Sequence, residues 1–228
     1  MGRIFVTGGT GFMGRRLIRS LVARGHSVRA LVRPGSESKL PQGCEPVLGN
    51  ALDAATFRDQ VTPSTVFIHL VGSASPAPWK ESDFREIDLP SFRASVEAAQ
   101  AGGIEHFVYV SVAMPAPIMK AYIQVRRECE ELLKETGIPS TILRPWYVLG
   151  PGRRWPELLK PFYALLESMP STRETALRLG MVEIEEMITA LVMAAEHPAV
   201  EGWREIDAQA IRRLRRARKL KAHAAGHA

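Results

Sequence analysis

The chain has 228 residues, 46% hydrophobic and 24% charged, enough for one α/β domain with a buried core and too few for two domains of ordinary size. These fractions sit near the globular average and exclude a disordered or fibrous body. The net charge of +6 belongs to the C-terminal stretch, where no acid follows Asp207 while Arg212, Arg213, Arg215, Arg216, Arg218, Lys219 and Lys221 do. Such a run is ordinarily a solvated terminus, so specific nucleic-acid binding is not expected.

Cys44 and Cys129 lie far apart without CxxC or Cys/His spacing, so neither a disulfide framework nor a metal site is indicated. Met1 runs straight into Arg3-Ile4-Phe5-Val6 and then glycines, and no uninterrupted apolar stretch reaches the length of a membrane span. No membrane span and a cytoplasmic location are expected.

Short β-branched and aromatic runs alternate with helical patterns along the chain, which predicts βαβ units and a doubly wound parallel sheet, the Rossmann fold. Arg3 to Thr7 is the first predicted strand. Gly14 to Arg24 is a helix with Leu17 and Leu21 on one face, ended by Gly25. Strands follow at Ser27 to Val32, Pro46 to Leu48, and Thr65 to Val71, the last apolar enough for burial on both faces. His69 within it reads as a packed core residue with no assigned role.

Asp88 to Gly102 is predicted as a long helix and His106 to Ser111 as a fifth strand. Met119 to Thr136 is a further helix, stopped by Gly137-Ile138-Pro139, and Ser140 to Leu143 is a sixth strand. From Pro145 the pattern loosens into a loop rich in Gly, Pro and Trp, and Glu183 to His197 is the last clear helix. The expected layout is one domain over 1–208, with 145–208 as a small substrate cap and 209–228 as a basic tail.

The most informative stretch is Thr7-Gly8-Gly9-Thr10-Gly11-Phe12-Met13-Gly14, set between a strand and a helix. Its glycines stand where a chain must turn sharply, approach a pyrophosphate and pack helix against strand. The helix start offers free backbone N–H groups and the positive end of the dipole to phosphates.

About twenty residues on, at the end of the second strand, an acid would bind the ribose diol of NAD, whereas this chain has Arg33. Arginine suits a 2′-phosphate, so NADP(H) is the expected cofactor and NAD(H) the alternative. A loop arginine paired with Glu37 is the competing reading. Arg15 and Arg16 open the first helix, where cations oppose the dipole; a bound phosphate would offset that, and Arg15 is the better placed to help hold it.

These residues resemble the short-chain dehydrogenase/reductase superfamily in its atypical and extended, NmrA-like branches, over nearly the whole chain to about Asp207. TGGTGFMG is similar to the family's TGxxGxxG turn and LVR to its NADP-type strand ending. GNALD resembles GDxxD, with Asn50 in place of the first Asp and Asp53 retained near the expected adenine. HLVG, ending in Val71 and Gly72 before the Ser73-Ala74-Ser75-Pro76 loop, resembles the segment under the nicotinamide ribose. AAQAGGIEHFVYVS and GIPSTILRP are typical of the group.

The resemblance implies a serine that orients a substrate oxygen, a tyrosine that moves a proton, and a lysine four residues later. Those positions are Ser111, Tyr122 and Arg126, with Glu130 matching the usual glutamate of Y-x-x-x-K-x-x-x-E. A spacing of four puts Tyr122, Arg126 and Glu130 along one helical face. Arginine for lysine keeps the charge but not a compact ammonium, which puts proton transfer in question; a ring packed on the helix is the competing reading for Tyr122, and Lys120 lies on a different face. Pro145 begins the segment expected beside the nicotinamide, with Trp146, Tyr147 and Trp155 as either an aromatic wall or core cover.

The implied function is an NADP(H)-dependent oxidoreductase acting on a carbonyl or related small molecule, as monomer or homodimer. The alternatives are an NAD(P)-binding sensor or assembly protein without turnover, and a nucleotide-sugar epimerase or dehydratase.

Overall fold

A computed structural model describes residues 1–73, 81–152 and 169–214. Chain order runs β1 (Arg3–Thr7), α1 (Gly14–Val22), β2 (Ser27–Val32), β3 (Cys44–Leu48), β4 (Val66–His69), α2 (Glu81–Asp83), α3 (Leu89–Ala101), β5 (His106–Val110) and α4 (Lys120–Glu135). Then come β6 (Ser140–Arg144), β7 (Val148–Leu149), α5 (Pro170–Arg178), β8 (Val182–Glu183), α6 (Ile184–Glu196) and β9 (Trp203–Asp207). Seven strands form one parallel sheet in the order β3-β2-β1-β4-β5-β6-β9, with helices on both faces. This is the doubly wound Rossmann arrangement.

Alternation along each strand divides the core into two layers. Ile4, Val6, Val66, Ile68, Val108 and Val110 face α1 and α6, which contribute Leu17, Ile18, Leu21, Met187 and Leu191. The opposite face carries Phe5, Phe67 and Phe107, which the strand register sets side by side and which pack against α3 and α4. Their ring centroids lie 5.2 and 5.0 Å apart. Each such pair adds about 0.5–1.5 kcal/mol beyond the area it buries.

Several boundaries differ from the sequence expectation. β3 begins at Cys44 rather than Pro46, because a proline is tolerated on an edge strand where no neighbour needs its N–H. β4 ends at His69 instead of Val71. The helix expected from Asp88 begins at Leu89; before it come α2 and a wide turn of π geometry over Phe84–Asp88. The seventh strand, β9, was not expected from its sequence: only Ile206 of Trp203–Asp207 is buried, so the segment carries no apolar run.

Residues 209–214, taken as the start of a tail, continue a helix that begins at Ala208, and Ala208 and Ile211 join the core. The basic residues from Arg215 onward, with Trp155 and Ala74 to Pro76, lie outside the described residues. Among the described residues, no helix is long and apolar enough to cross a membrane.

Candidate functional site

The strand order changes direction between β1 and β4, and ligands of open parallel sheets bind beyond the carboxyl ends of the strands at such a point. Two loops meet there. Gly8 has φ +75°, and a Cβ on it would lie 2.7 Å from the carbonyl carbon and oxygen of Leu70 and 2.9 Å from Val71 N. The glycine turn and the segment leaving β4 are therefore in backbone contact, which only a residue without a side chain allows.

Beyond Gly8 the chain turns tightly, with Gly11 N–H donating to Gly8 O at 3.0 Å. Gly9 leaves no room for a side chain between Ile18, Ala30 and Leu40, and a Cβ on Gly14 would run into Gly8 O. Helix α1 starts without a side-chain cap and without an acid in its first turn. The amides of Thr10, Met13 and Gly14 have no hydrogen-bond acceptor among the described residues. Phe12 lies under Arg16, whose guanidinium sits 4.5 Å from the ring centroid and donates to Phe12 O at 2.8 Å. Arg16 is thus occupied, while Arg15 is exposed on the first turn.

Thr7 is buried, and its hydroxyl hydrogen-bonds His69 Nδ1 at 3.1 Å. Ser95 of α3 meets the same nitrogen at 2.9 Å. Burial, followed by the nearby charge of Arg126, holds the His69 imidazole down at about 3. His69 is a neutral core residue, as its position in an apolar strand suggested.

Arg33 stands exposed after β2, its carbonyl accepting Ser36 N–H at 3.0 Å, while its guanidinium makes no hydrogen bond or ion pair to Glu37 or to any other described residue. Asp53 is exposed, and its carboxylate accepts Ala55 N–H at 3.1 Å to cap the turn over Ala54–Thr56. Asn50, in place of the family's acid, accepts Leu52 N–H at 3.1 Å.

On the other side of β4, Ser111 continues the pairing of β5 with β6: its N–H donates to Leu143 O at 2.8 Å, and Ala113 N–H donates to Pro145 O at 2.9 Å. Ser111 and buried Pro145 are thereby brought together at the carboxyl edge. The Ser111 hydroxyl is buried without a hydrogen-bond partner among the described residues. Trp146 and Tyr147 are half-buried, ring centroids 5.7 Å apart. Beyond the ends of β6 and β9 a cavity of about 430 Å³ opens, lined in part by Ala113, Met114, Arg144, Arg178 and Asp207.

Tyr122, Arg126 and Glu130 do share a face of α4, but each has a different neighbour. Glu130 is buried in an ion pair with Arg144, which also reaches Glu205 of β9. Tyr122 packs its ring on Phe84, centroids 4.8 Å apart, with the Arg126 guanidinium 4.9 Å from its own centroid. Burial raises the Tyr122 phenol above its ordinary value; Arg126 opposes this and Asp88 adds to it. No hydrogen bond joins Tyr122 to Ser111 among the described residues.

Arg126 is buried and committed. It forms an ion pair with the buried Asp88, and donates to Tyr109 Oη at 3.0 Å and Val110 O at 3.3 Å. The other carboxylate oxygen of Asp88 accepts Ser73 N–H at 3.0 Å and the Ser73 hydroxyl at 2.5 Å. Gly72 lies directly over the pair: a Cβ there would stand 2.6 Å from Arg126 Nη2 and 2.9 Å from Asp88 Oδ1. Neither Asp88 nor Ser73 is singled out for a role by the motifs. The one signal in the sequence is an acid at a helix start, a position where acids are common for reasons of capping alone.

A family model described as NAD(P)H-binding matches residues 8–155, well over half of the chain. The chain belongs to this NAD(P)H-binding family. Ceramide reductase of Caulobacter vibrioides is 28% identical over 203 residues, covering 87% of this chain and 62% of that protein. A farnesyl-dihydroquinoline-oxide ketoreductase of Stigmatella aurantiaca is 28% identical over 170 residues, 65% of this chain and 51% of the relative. Photosystem II assembly factor Ycf39 of Synechocystis is 31% identical over 146 residues, 62% and 44% respectively. The chain therefore spans 44 to 62% of the length of these relatives.

Solved structures share the fold at lower identity. WbmH of Bordetella bronchiseptica, in complex with NAD+, superposes with a TM-score of 0.67 at 18% identity, over 91% of this chain and 76% of that one. The UDP-N-acetylglucosamine 4-epimerase of Bacillus cereus gives 0.67 at 17% identity, over 91% and 78%. The family's NAD(P)H-binding domain, with its Rossmann fold, is the frame on which the site described above is built.

Proposed function

We propose that this chain binds NADP(H) on its glycine turn and works as a reductase of a small carbonyl compound. The observation that carries the reading is the open start of α1: uncapped amides at Thr10, Met13 and Gly14, no first-turn acid, and two exposed arginines, Arg15 and Arg33, flanking it. Amides and dipole suit a pyrophosphate, and the Arg33 guanidinium, without a partner among the described residues at the end of β2, suits a 2′-phosphate over a ribose diol. The residues present fit the dinucleotide: Gly8 to Gly14 would hold its phosphates, Arg33 and Asp53 its adenosine half, and Val71, Gly72 and Pro145 its nicotinamide half. When bound, that group supplies the hydride.

The remaining steps fall to the chain's own groups. The unpartnered Ser111 hydroxyl would donate a hydrogen bond to the substrate oxygen and orient it. Tyr122 keeps its proton across neutral pH because burial raises its phenol. A protonated phenol can serve as acid towards a forming alkoxide, but is a poor base for an alcohol. The similarity to ceramide reductase and to a ketoreductase agrees with the reductase reading.

A second reading has its own observation. Arg126 is spent on Asp88, and one relative is an assembly factor; a nucleotide-responsive protein without turnover would need only the binding half of the site. The two readings separate in an assay of NADPH oxidation with aldehydes, ketones and quinones, comparing the wild type with Tyr122→Phe and Arg126→Lys. Turnover that falls in Tyr122→Phe supports the reductase. NADPH binding without turnover on any substrate sinks it in favour of the second reading.

A further inference from the structure

We propose that Asp88 is a positioning residue for the dinucleotide site, presetting the segment that leaves β4 by holding Ser73 with one carboxylate oxygen and the Arg126 guanidinium under Gly72 with the other. The inference rests on the NADP(H) reading above and adds to it a residue that neither motif nor family match singles out.

The geometry is a chain of directional contacts. Ser73 is bound twice by Asp88, through its amide at 3.0 Å and its hydroxyl at 2.5 Å. Asp88 is bound by Arg126, and Arg126 by the Tyr109 hydroxyl and the Val110 carbonyl of β5, one residue before Ser111. The network thus ties the loop beyond β4 to the strand end beyond β5, across the two strands whose ends flank the nicotinamide half. The loop's other edge is held by Gly8 against Leu70 and Val71. The wide π turn over Phe84–Asp88 ends on this aspartate; turns of that kind widen a helix locally and recur at functional sites.

Stability alone does not account for an ionic pair here. Both side chains are almost wholly out of water, and two apolar residues of similar volume would hold the core at least as well. What the charged pair adds is direction: it fixes where Ser73 and Gly72 stand before a ligand arrives, and a loop fixed in advance loses less freedom on binding. Arg126 is held beneath the loop by Asp88, Tyr109 and Val110, so it acts on the dinucleotide through Gly72 and Ser73.

The test compares NADPH binding, read by the emission of the bound nicotinamide, in the wild type, Asp88→Asn and the apolar pair Asp88→Leu/Arg126→Leu, at a temperature where urea melts show each folded. The apolar pair should keep a melting midpoint near the wild type, bind NADPH about tenfold more weakly, and exchange the Ser73 amide hydrogen much faster. Ser73→Ala should show a smaller loss in the same direction. Unchanged NADPH affinity and unchanged Ser73 exchange in the folded apolar pair overturn the proposal and leave the pair merely structural. Should the apolar pair not fold, Asp88→Asn decides alone: undiminished NADPH affinity overturns the proposal. A wild type that binds no NADPH overturns the cofactor reading and this inference together.

Discussion

The Asp88 carboxylate and the Arg126 guanidinium meet directly beneath Gly72, the aspartate from the end of the π turn before α3 and the arginine from the middle of α4. Where the Y-x-x-x-K pattern puts an ammonium, this chain puts a charge already neutralised inside the protein. Removing one partner should be costly. Asp88→Ala or Arg126→Ala leaves an uncompensated buried charge, worth about 3–5 kcal/mol of stability by urea unfolding. A loss under about 1 kcal/mol would show that water reaches the pair.

Glycine substitutions should divide sharply by their surroundings. Gly8→Ala meets the Leu70 carbonyl and Val71 N and also has φ +75°, so it should cost about 2–4 kcal/mol in chemical denaturation. Gly35, at φ +78° with nothing within 4 Å of a new Cβ, should lose only about 1 kcal/mol on Gly35→Ala. Equal losses at the two positions would contradict the close approach of the turn to the β4 loop.

His69 predicts an acid-side instability. Its imidazole is held near 3 in the fold against about 6.5 for a free imidazole, so the unfolded chain takes up a proton that the folded one refuses. Its contribution is fully present above pH 6.5 and is lost as pH falls from 6.5 towards 3, by about 4–5 kcal/mol at most. His106, held near 4 by burial and then by Arg204, adds to the same slope. In His69→Asn the dependence of stability on pH between 6.5 and 3 should flatten measurably; an unchanged slope would mean that His69 is protonated in the fold.

Cofactor choice turns on Arg33. Arg33→Asp should weaken NADPH by about tenfold or more while leaving NADH within a few-fold, measured by titration. Equal losses for the two nucleotides would show that Arg33 does not read the 2′-phosphate.

If the chain turns over a carbonyl substrate, its reductive rate should show no limb from Tyr122 between pH 6 and 9, because burial keeps the phenol protonated there. A tyrosine-dependent fall within that range, absent in Tyr122→Phe, would indicate that Arg126 stabilises a tyrosinate in spite of its pairing with Asp88.

The sequence by itself determined the order of the first six strands, the glycine turn and the family, because these are local matters: period-two apolar runs, a helix period of 3.6, and glycines at fixed offsets between a strand and a helix. It also placed Tyr122 and Arg126 within α4, while Ser111, expected as the last residue of the fifth strand, follows β5 by one residue. Only the tertiary structure decided what those residues face. Asp88 and Arg126 are 38 positions apart, and no local pattern says that an acid before one helix will be buried against an arginine inside the next. β9 was likewise invisible, since an edge strand with one buried residue has no apolar run and gains its place from pairing with β6. Local pattern records which face a residue takes; its partner depends on how distant elements stack, and for Arg126 that partner is the buried carboxylate of Asp88.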